Sequence, residues 1–119
     1  RERPTAIFAA NDETAIGFMS GLRRWGVSCP KDVSVIGFDD LAVAAHMDPP
    51  LTTMRQPSAA LGRLAAEALI DIIEGEQVRR VPRHTVLSSD LIIRASTAPP
   101  PLSSRFGEAE GSFLSAEMR

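Results

Sequence analysis

The sequence has few of the residues that disulfides, metal sites and membrane spans require. Its 119 residues include one cysteine, Cys29, and two histidines, His46 and His84. A single thiol forms no internal disulfide and builds no thiolate zinc site, so we predict a reducing compartment, no metal and no cofactor. No apolar run approaches the roughly 20 residues that cross a bilayer, so no membrane partner is expected.

An excess of charge of one sign is also missing. The chain carries 13 basic and 15 acidic side chains, for a net charge of -2. This balance excludes a strongly basic nucleic-acid-binding surface as the dominant feature. Apolar residues make up 44% and charged residues 24% of the chain, as in soluble globular proteins, and the length fits one compact domain. Because Thr5 already enters a strand pattern, we expect the chain to be cut from a longer one.

The first half of the sequence alternates between strand and helix patterns. Residues 5–10 and 33–38 are short apolar runs, typical of strands that are buried on both faces. Between them, apolar residues recur at helical spacing and Gly26 provides a stop; they are Ala15, Ile16, Met19, Leu22 and Trp25. A strand, a helix and a strand in this order form a βαβ unit, which predicts an α/β fold with a parallel sheet.

The second half continues with shorter elements. We predict a short strand around residues 51–54, a helix over 57–74 that Gly75 ends, and strands over 84–87 and 91–94. From residue 98 the sequence is rich in proline, serine and glycine. We therefore expect residues 98–119 to form a tail that is mobile, or ordered only against a partner.

Polar pairs follow both predicted buried strands. In parallel sheets ligands bind at the carboxyl ends of strands, where Asn11-Asp12 and Asp39-Asp40 fall. The helix needs one N-cap, and we assign this role to Asp12 rather than Asn11. A carboxylate after the second strand can accept hydrogen bonds from two vicinal hydroxyls, which suits a sugar or a nucleoside.

Other interpretations of Asp39-Asp40 stay open. The pair fits a solvated turn equally well. Two adjacent carboxylates also suggest acid–base catalysis or magnesium binding, although neighbours on an extended chain point to opposite sides. The sequence contains no GxGxxG, no phosphate-binding P-loop and no G-x-S-x-G motif, so we do not expect an enzyme.

Several segments, in this order, resemble the LacI/GalR family of transcriptional regulators. They are residues 4–12 (PTAIFAAND), 15–17 (AIG), 26–27 (GV), 30–40 (PKDVSVIGFDD), 50–53 (PLTT) and 94–97 (RAST). The resemblance implies the type I periplasmic-binding-protein fold, in which three crossover strands join two α/β lobes and effector binds between them. It makes residues 1–97 the C-terminal portion of the effector-binding domain. Residues 5–54 would lie mainly in the C-terminal lobe, and 57–97 would form a crossover helix and the final strands.

The resemblance also implies roles for individual residues. Positions that match Asn11 and Asp39 contact the effector in this family, and Gln56 matches a position that lines the cleft. Family members dimerise through helices with positions like Ala15 and Ile16 and through the segment around His46 and Met47; we expect these positions to be exposed.

The function implied is that of a sensor of a small molecule of the sugar class in a cytoplasmic, homodimeric repressor. Operator DNA would be bound through a helix-turn-helix that we expect to be absent from this chain. A periplasmic sugar-binding protein is the alternative interpretation. A hydrolase that depends on Asp39 and Asp40 is less favoured, because no nucleophile–base pair or metal-ligand spacing accompanies them.

Overall fold

The computed structural model of the protein describes residues 4–75 and 84–100. Seven elements follow one another within these ranges: β1 (Ala6–Phe8), α1 (Asp12–Arg24), β2 (Ser34–Phe38), a short 3-10 helix (Ala42–His46), β3 (Thr52–Arg55), α2 (Ser58–Ile73) and β4 (Asp90–Ile92). Most of the predicted tail over 98–119 lies outside the described residues.

The four strands form one open sheet in the order β1-β2-β3-β4. The first three strands are parallel, and β4 is antiparallel to β3 with Ile92 opposite Thr53. Helix α1 makes the crossover between β1 and β2. The predicted α/β fold with a parallel βαβ unit is therefore confirmed.

Helix α1 packs on this sheet and closes the core. Its C-terminus has the geometry of a Schellman motif: Gly26 has a φ of +70°, and the Val27 and Gly26 amides donate to the carbonyls of Leu22 and Arg23. The glycine stop predicted at this position is confirmed. The buried apolar core consists of Ala9, Ala15, Met19, Val33, Val35, Ala44 and Leu51.

Some predicted strands are wrong in extent. The strand predicted over 5–10 is only three residues long, and Phe8 is 62% exposed. Ala6 and Phe8 point to the same face of the sheet and are both exposed, so β1 is not buried on both faces within the described residues. Residues 84–87 form no strand, and the final strand is Asp90–Ile92 rather than 91–94.

Helix α2 is present almost where the sequence predicts it, but it contributes nothing to the core. Pro57 lies just before the first helical residue, and Gly75 follows the helix with a φ of +76°. None of the helix residues is buried. Its exposed large apolar side chains are Leu61, Leu69, Ile70, Ile72 and Ile73.

Candidate functional site

Polar residues gather at the carboxyl edge of the three parallel strands. Asn11 and Asp12 follow β1, Asp39 and Asp40 follow β2, and Gln56 follows β3. Parallel strands bring these ends to one edge of the sheet, where α/β proteins bind ligands. This edge is the candidate site.

Asn11 is the N-cap of α1. Its backbone is extended, and its Oδ1 accepts a hydrogen bond of 2.8 Å from the Thr14 amide. The prediction that Asp12 caps the helix is wrong, because Asp12 is the first helical residue and its carboxylate turns inward. The amide Nδ2 of Asn11 makes no hydrogen bond to the described residues, so the half-buried side chain keeps a donor for a ligand.

The side chain of Asp12 is instead fully buried, and it links the start of α1 to β3 and to the loop after β2. Its two carboxylate oxygens accept from the Thr53 hydroxyl at 2.5 Å and from the Leu41 amide at 2.8 Å. A Cβ at Gly37 would lie 2.2 Å from Asp12 Oδ1, so only glycine allows the carboxylate to approach β2 this closely. Asp12 therefore joins α1, β2 and β3, a role that no local pattern in the sequence indicated.

Asp39 and Gln56, two of the three residues predicted to contact effector, bind each other. Gln56 Nε2 donates to Asp39 Oδ1 at 2.6 Å. The backbone amide of Asp39 donates to the carbonyl of Met54 at 2.8 Å, which fixes the loop against β3. Both side chains are only half-buried, so the second carboxylate oxygen of Asp39 can accept from a ligand. The structure gives no contact between this pair and Asn11, which lies along the same edge.

The carboxylate of Asp40 binds two arginine side chains. Arg55 Nε donates to one of its oxygens at 2.6 Å and Arg94 Nη2 to the other at 2.5 Å. The solvated-turn interpretation is wrong for Asp40, because its side chain is only 8% exposed. The hydrogen bond from Arg94 lowers the pKa of Asp40 against the opposing effect of burial, and Arg55 lowers it further.

Sequence reasoning missed the importance of Arg94. This side chain is 16% exposed, and it also donates through Nη1 to the Leu51 carbonyl at 2.7 Å. The signal available was the Arg-Ala-Ser-Thr segment, but its pairing with Asp40 spans 54 residues of sequence. Nothing local identifies such a partner.

The backbone at the end of β2 has an unusual conformation. Asp39 and Asp40 have φ values of 115° and 57°. Non-glycine residues adopt these positive φ values rarely; each costs about 1–3 kcal/mol and persists only where its surroundings hold it. Strain of this kind clusters at binding sites.

The residues predicted for a dimer interface differ in exposure. His46 is exposed and Met47 is half-buried at the end of the 3-10 helix, and Ile16 is half-buried on α1. The expectation that Ala15 is exposed is wrong, because its exposed fraction is 0% and it packs in the core.

Residues 4–75 and 84–100 contain neither a metal-binding cluster nor a membrane-spanning helix. Within these ranges no three His, Cys, Asp or Glu side chains are grouped so that they could hold a metal ion. No helix in the same ranges has both the length and the apolar character that a bilayer crossing needs.

Comparison with known proteins gives an independent description of the chain. Residues 1–97 match the family described as the periplasmic binding protein-like domain. Over 98 residues the chain is 40% identical to the lactose operon repressor of Rhizobium radiobacter, with 82% of this chain and 84% of the repressor covered.

Two solved structures are similar in fold and sequence. The transcriptional regulator CelR in complex with cellobiose superposes with a TM-score of 0.71 at 40% identity, over 77% of this chain and 28% of that one. The Lac repressor dimer bound to operator and the anti-inducer ONPF gives 0.69 at 33% identity, over 79% and 32%. The chain also spans 28% of the length of several curated regulators.

Proposed function

The chain belongs to the LacI/GalR family of transcriptional regulators, as a C-terminal part of their periplasmic-binding-protein-like effector domain, and we propose that it senses a small, hydroxyl-rich effector. Residues 5–54 would form most of one lobe. Residues 57–97 would supply a crossover helix and the final strands. Effector would bind between this lobe and a second one.

One observation carries the proposal: the Asp39–Gln56 pair lies at the carboxyl edge of the parallel sheet. The hydrogen bond orients Asp39 and leaves one of its oxygens for a ligand hydroxyl. The Asn11 amide is a further donor along the same edge. Carboxylate and amide groups along one strand-end edge suit the vicinal hydroxyls of a sugar.

The relatives support a sugar as effector and a dimer as assembly. The similar regulator CelR is solved with cellobiose, and the similar Lac repressor is solved as a dimer on operator DNA. We propose that this chain takes part in a homodimer through the surface around Ile16, His46 and Met47. Effector binding would shift the dimer geometry and so the operator affinity of the complete, cytoplasmic regulator.

The geometry of Asp40 disfavours the Asp-dependent hydrolase. Two guanidinium groups hold this carboxylate in its charged form, so it cannot serve as a general acid near neutral pH. Relatives that are transcriptional repressors also favour a regulator over a periplasmic sugar-binding protein.

The test replaces Asp39 by alanine in the complete regulator. The variant and a control, Asp90→Ala on the exposed start of β4, are titrated with cellobiose, ribose and other mono- and disaccharides. Binding is measured by calorimetry and operator release by fluorescence anisotropy. We expect Asp39→Ala to lose the response, with a melting temperature within a few degrees of the parent. Sugar binding that survives unchanged in Asp39→Ala would refute the assignment.

A further inference from the structure

Two consecutive residues at the end of β2 bind two consecutive residues at the end of β3. Asp40 binds Arg55, and Asp39 binds Gln56. Because Asp39 and Asp40 are adjacent in the chain, and Arg55 and Gln56 are too, the position of one hydrogen bond constrains the other. A displacement of Asp40 relative to Arg55 would move Asp39 relative to Gln56.

The surroundings of Asp40 are well suited to hold this arrangement. Its carboxylate is anchored to the sheet from two directions, by Arg55 at the end of β3 and by Arg94 after β4. Arg94 is itself fixed by its second bond to the Leu51 carbonyl. The next residue in the chain, Leu41, donates its backbone amide to the buried carboxylate of Asp12.

Asp40 is not positioned to contact a ligand itself. Its side chain is only 8% exposed, and each of its two oxygens already accepts a charge-assisted hydrogen bond. The positive φ values of Asp39 and Asp40 show that the chain turns sharply here, and such a conformation persists only where its surroundings over-determine it. The two ion pairs of Asp40 are charge-assisted contacts that hold the turn in this conformation.

We propose that Asp40, bound by Arg94 and Arg55, is a positioning residue that sets the orientation of the Asp39 carboxylate and the Gln56 amide. This inference rests on the proposed function for its consequence, which is the affinity for effector. The arrangement of Asp39 and Gln56 can be tested without any ligand. Arg94 contributes more than Arg55 to holding Asp40 in place, because the Arg94 side chain is 16% exposed whereas that of Arg55 is 55% exposed.

The first test observes the Gln56 side-chain amide by NMR in the ligand-free protein. In the parent, a proton on Nε2 that is bonded to a carboxylate resonates downfield of a free amide and exchanges slowly. Asp40→Asn keeps the shape but removes the charge, and we expect the Gln56 signal to move towards that of a free amide. The matched control is Glu67→Gln, which removes a carboxylate from the Arg63–Glu67 ion pair on α2 and should leave Gln56 unchanged.

The second test measures sugar affinity with cellobiose and ribose as probes. If the displaced Asp39 loses one charge-assisted hydrogen bond to the sugar, Asp40→Asn should lower the affinity about tenfold. If Asp40 acts through Asp39, the same change made in an Asp39→Asn background should lower the affinity by less than about twofold further, because coupled residues are not additive. A purely structural role would instead give additive losses.

The outcomes separate this inference from the proposed function. An Asp39→Asn variant with full affinity would refute the proposed function, whereas an unchanged Gln56 signal in Asp40→Asn would overturn the positioning role alone. Additive affinity losses would overturn it as well. If Asp40→Asn does not fold, the exposed Arg55→Gln replaces it with a smaller expected shift of the same signal. If neither sugar binds, the Gln56 signal alone tests the positioning role of Asp40.

Discussion

The two α-helices of the described residues have similar lengths, but only one of them is packed into the core. Helix α1 buries Ala15 and Met19 against the sheet, whereas α2 buries none of its 16 residues although most of them are apolar. Apolar composition therefore does not decide whether a helix face is covered. The described residues supply a surface that buries part of α1, whereas they bury no residue of α2.

The largest expected effect comes from paired leucine truncations in the two regions. Leu51 is fully buried in the core, so Leu51→Ala should lower the free energy of unfolding by about 3 kcal/mol. Leu69 on α2 is 57% exposed, and Leu69→Ala should change it by less than about 0.5 kcal/mol. Urea denaturation followed by the fluorescence of Trp25, the single tryptophan, measures both.

This comparison fails if the two variants behave alike. A cost for Leu69→Ala close to that of Leu51→Ala would show that another surface covers α2 in solution. Repeating the measurement over a range of protein concentrations would then show whether that surface belongs to a second copy, since only association depends on concentration.

A smaller effect is expected where the two regions join. Arg94 follows the strand that returns from the α2 segment, and it ties Asp40 to the Leu51 carbonyl. Arg94→Gln leaves Asp40 with one exposed partner, so at pH 7 we expect a loss of about 2 kcal/mol in the free energy of unfolding. Urea denaturation of both proteins between pH 7 and pH 3 measures this loss.

The difference should shrink in acid. The folded-state pKa of Asp40 lies below its ordinary value of 3.8, so the stabilisation is complete above that value and is lost as the pH falls through the lowered pKa. At the acid end of the range the parent should therefore approach Arg94→Gln in stability. A difference that stays constant down to pH 3 would contradict the role of the ion pair. Arg63→Gln on α2, whose ion pair is exposed, is the control and should cost little at any pH.

Sequence patterns predicted where the helices and strands lie better than they predicted which of their faces are buried. Periodicity located α1 and α2, and glycine chemistry located their ends at Gly26 and Gly75, because these signals are local. The strand predicted over 84–87 is absent, because a short apolar run becomes a strand only where a neighbour offers hydrogen bonds. Whether a face is covered is also a tertiary property, and so the exposure of α2 could not be predicted.

The candidate site was predictable only in part, for the same reason. The position of polar residues at strand ends follows from topology, and the Asp39–Gln56 contact agrees with that expectation. Which residue of Asn11-Asp12 or of Asp39-Asp40 takes which role does not follow from the sequence. Asp12 and Asn11 both suit an N-cap chemically, and Thr53 and Leu41, which draw Asp12 inward, lie 41 and 29 residues away.

The smallest effect concerns the start of each helix. Asn11 caps α1 with its side chain, whereas Pro57 gives α2 no side-chain cap. Asn11→Ala removes the cap and should cost about 1 kcal/mol of unfolding free energy, whereas Asn11→Ser keeps an oxygen acceptor and should cost only a few tenths. Ser58→Ala at the start of α2 is the control and should change little.

The same two variants separate the cap of Asn11 from its proposed contact with effector. Serine restores an acceptor for the Thr14 amide but lacks the Nδ2 donor. Asn11→Ser should therefore unfold like the parent yet bind sugar as weakly as Asn11→Ala, when both are titrated with the same saccharides. If Asn11→Ser retains the affinity of the parent, Asn11 serves only to begin the helix, and the candidate site reduces to Asp39 and Gln56.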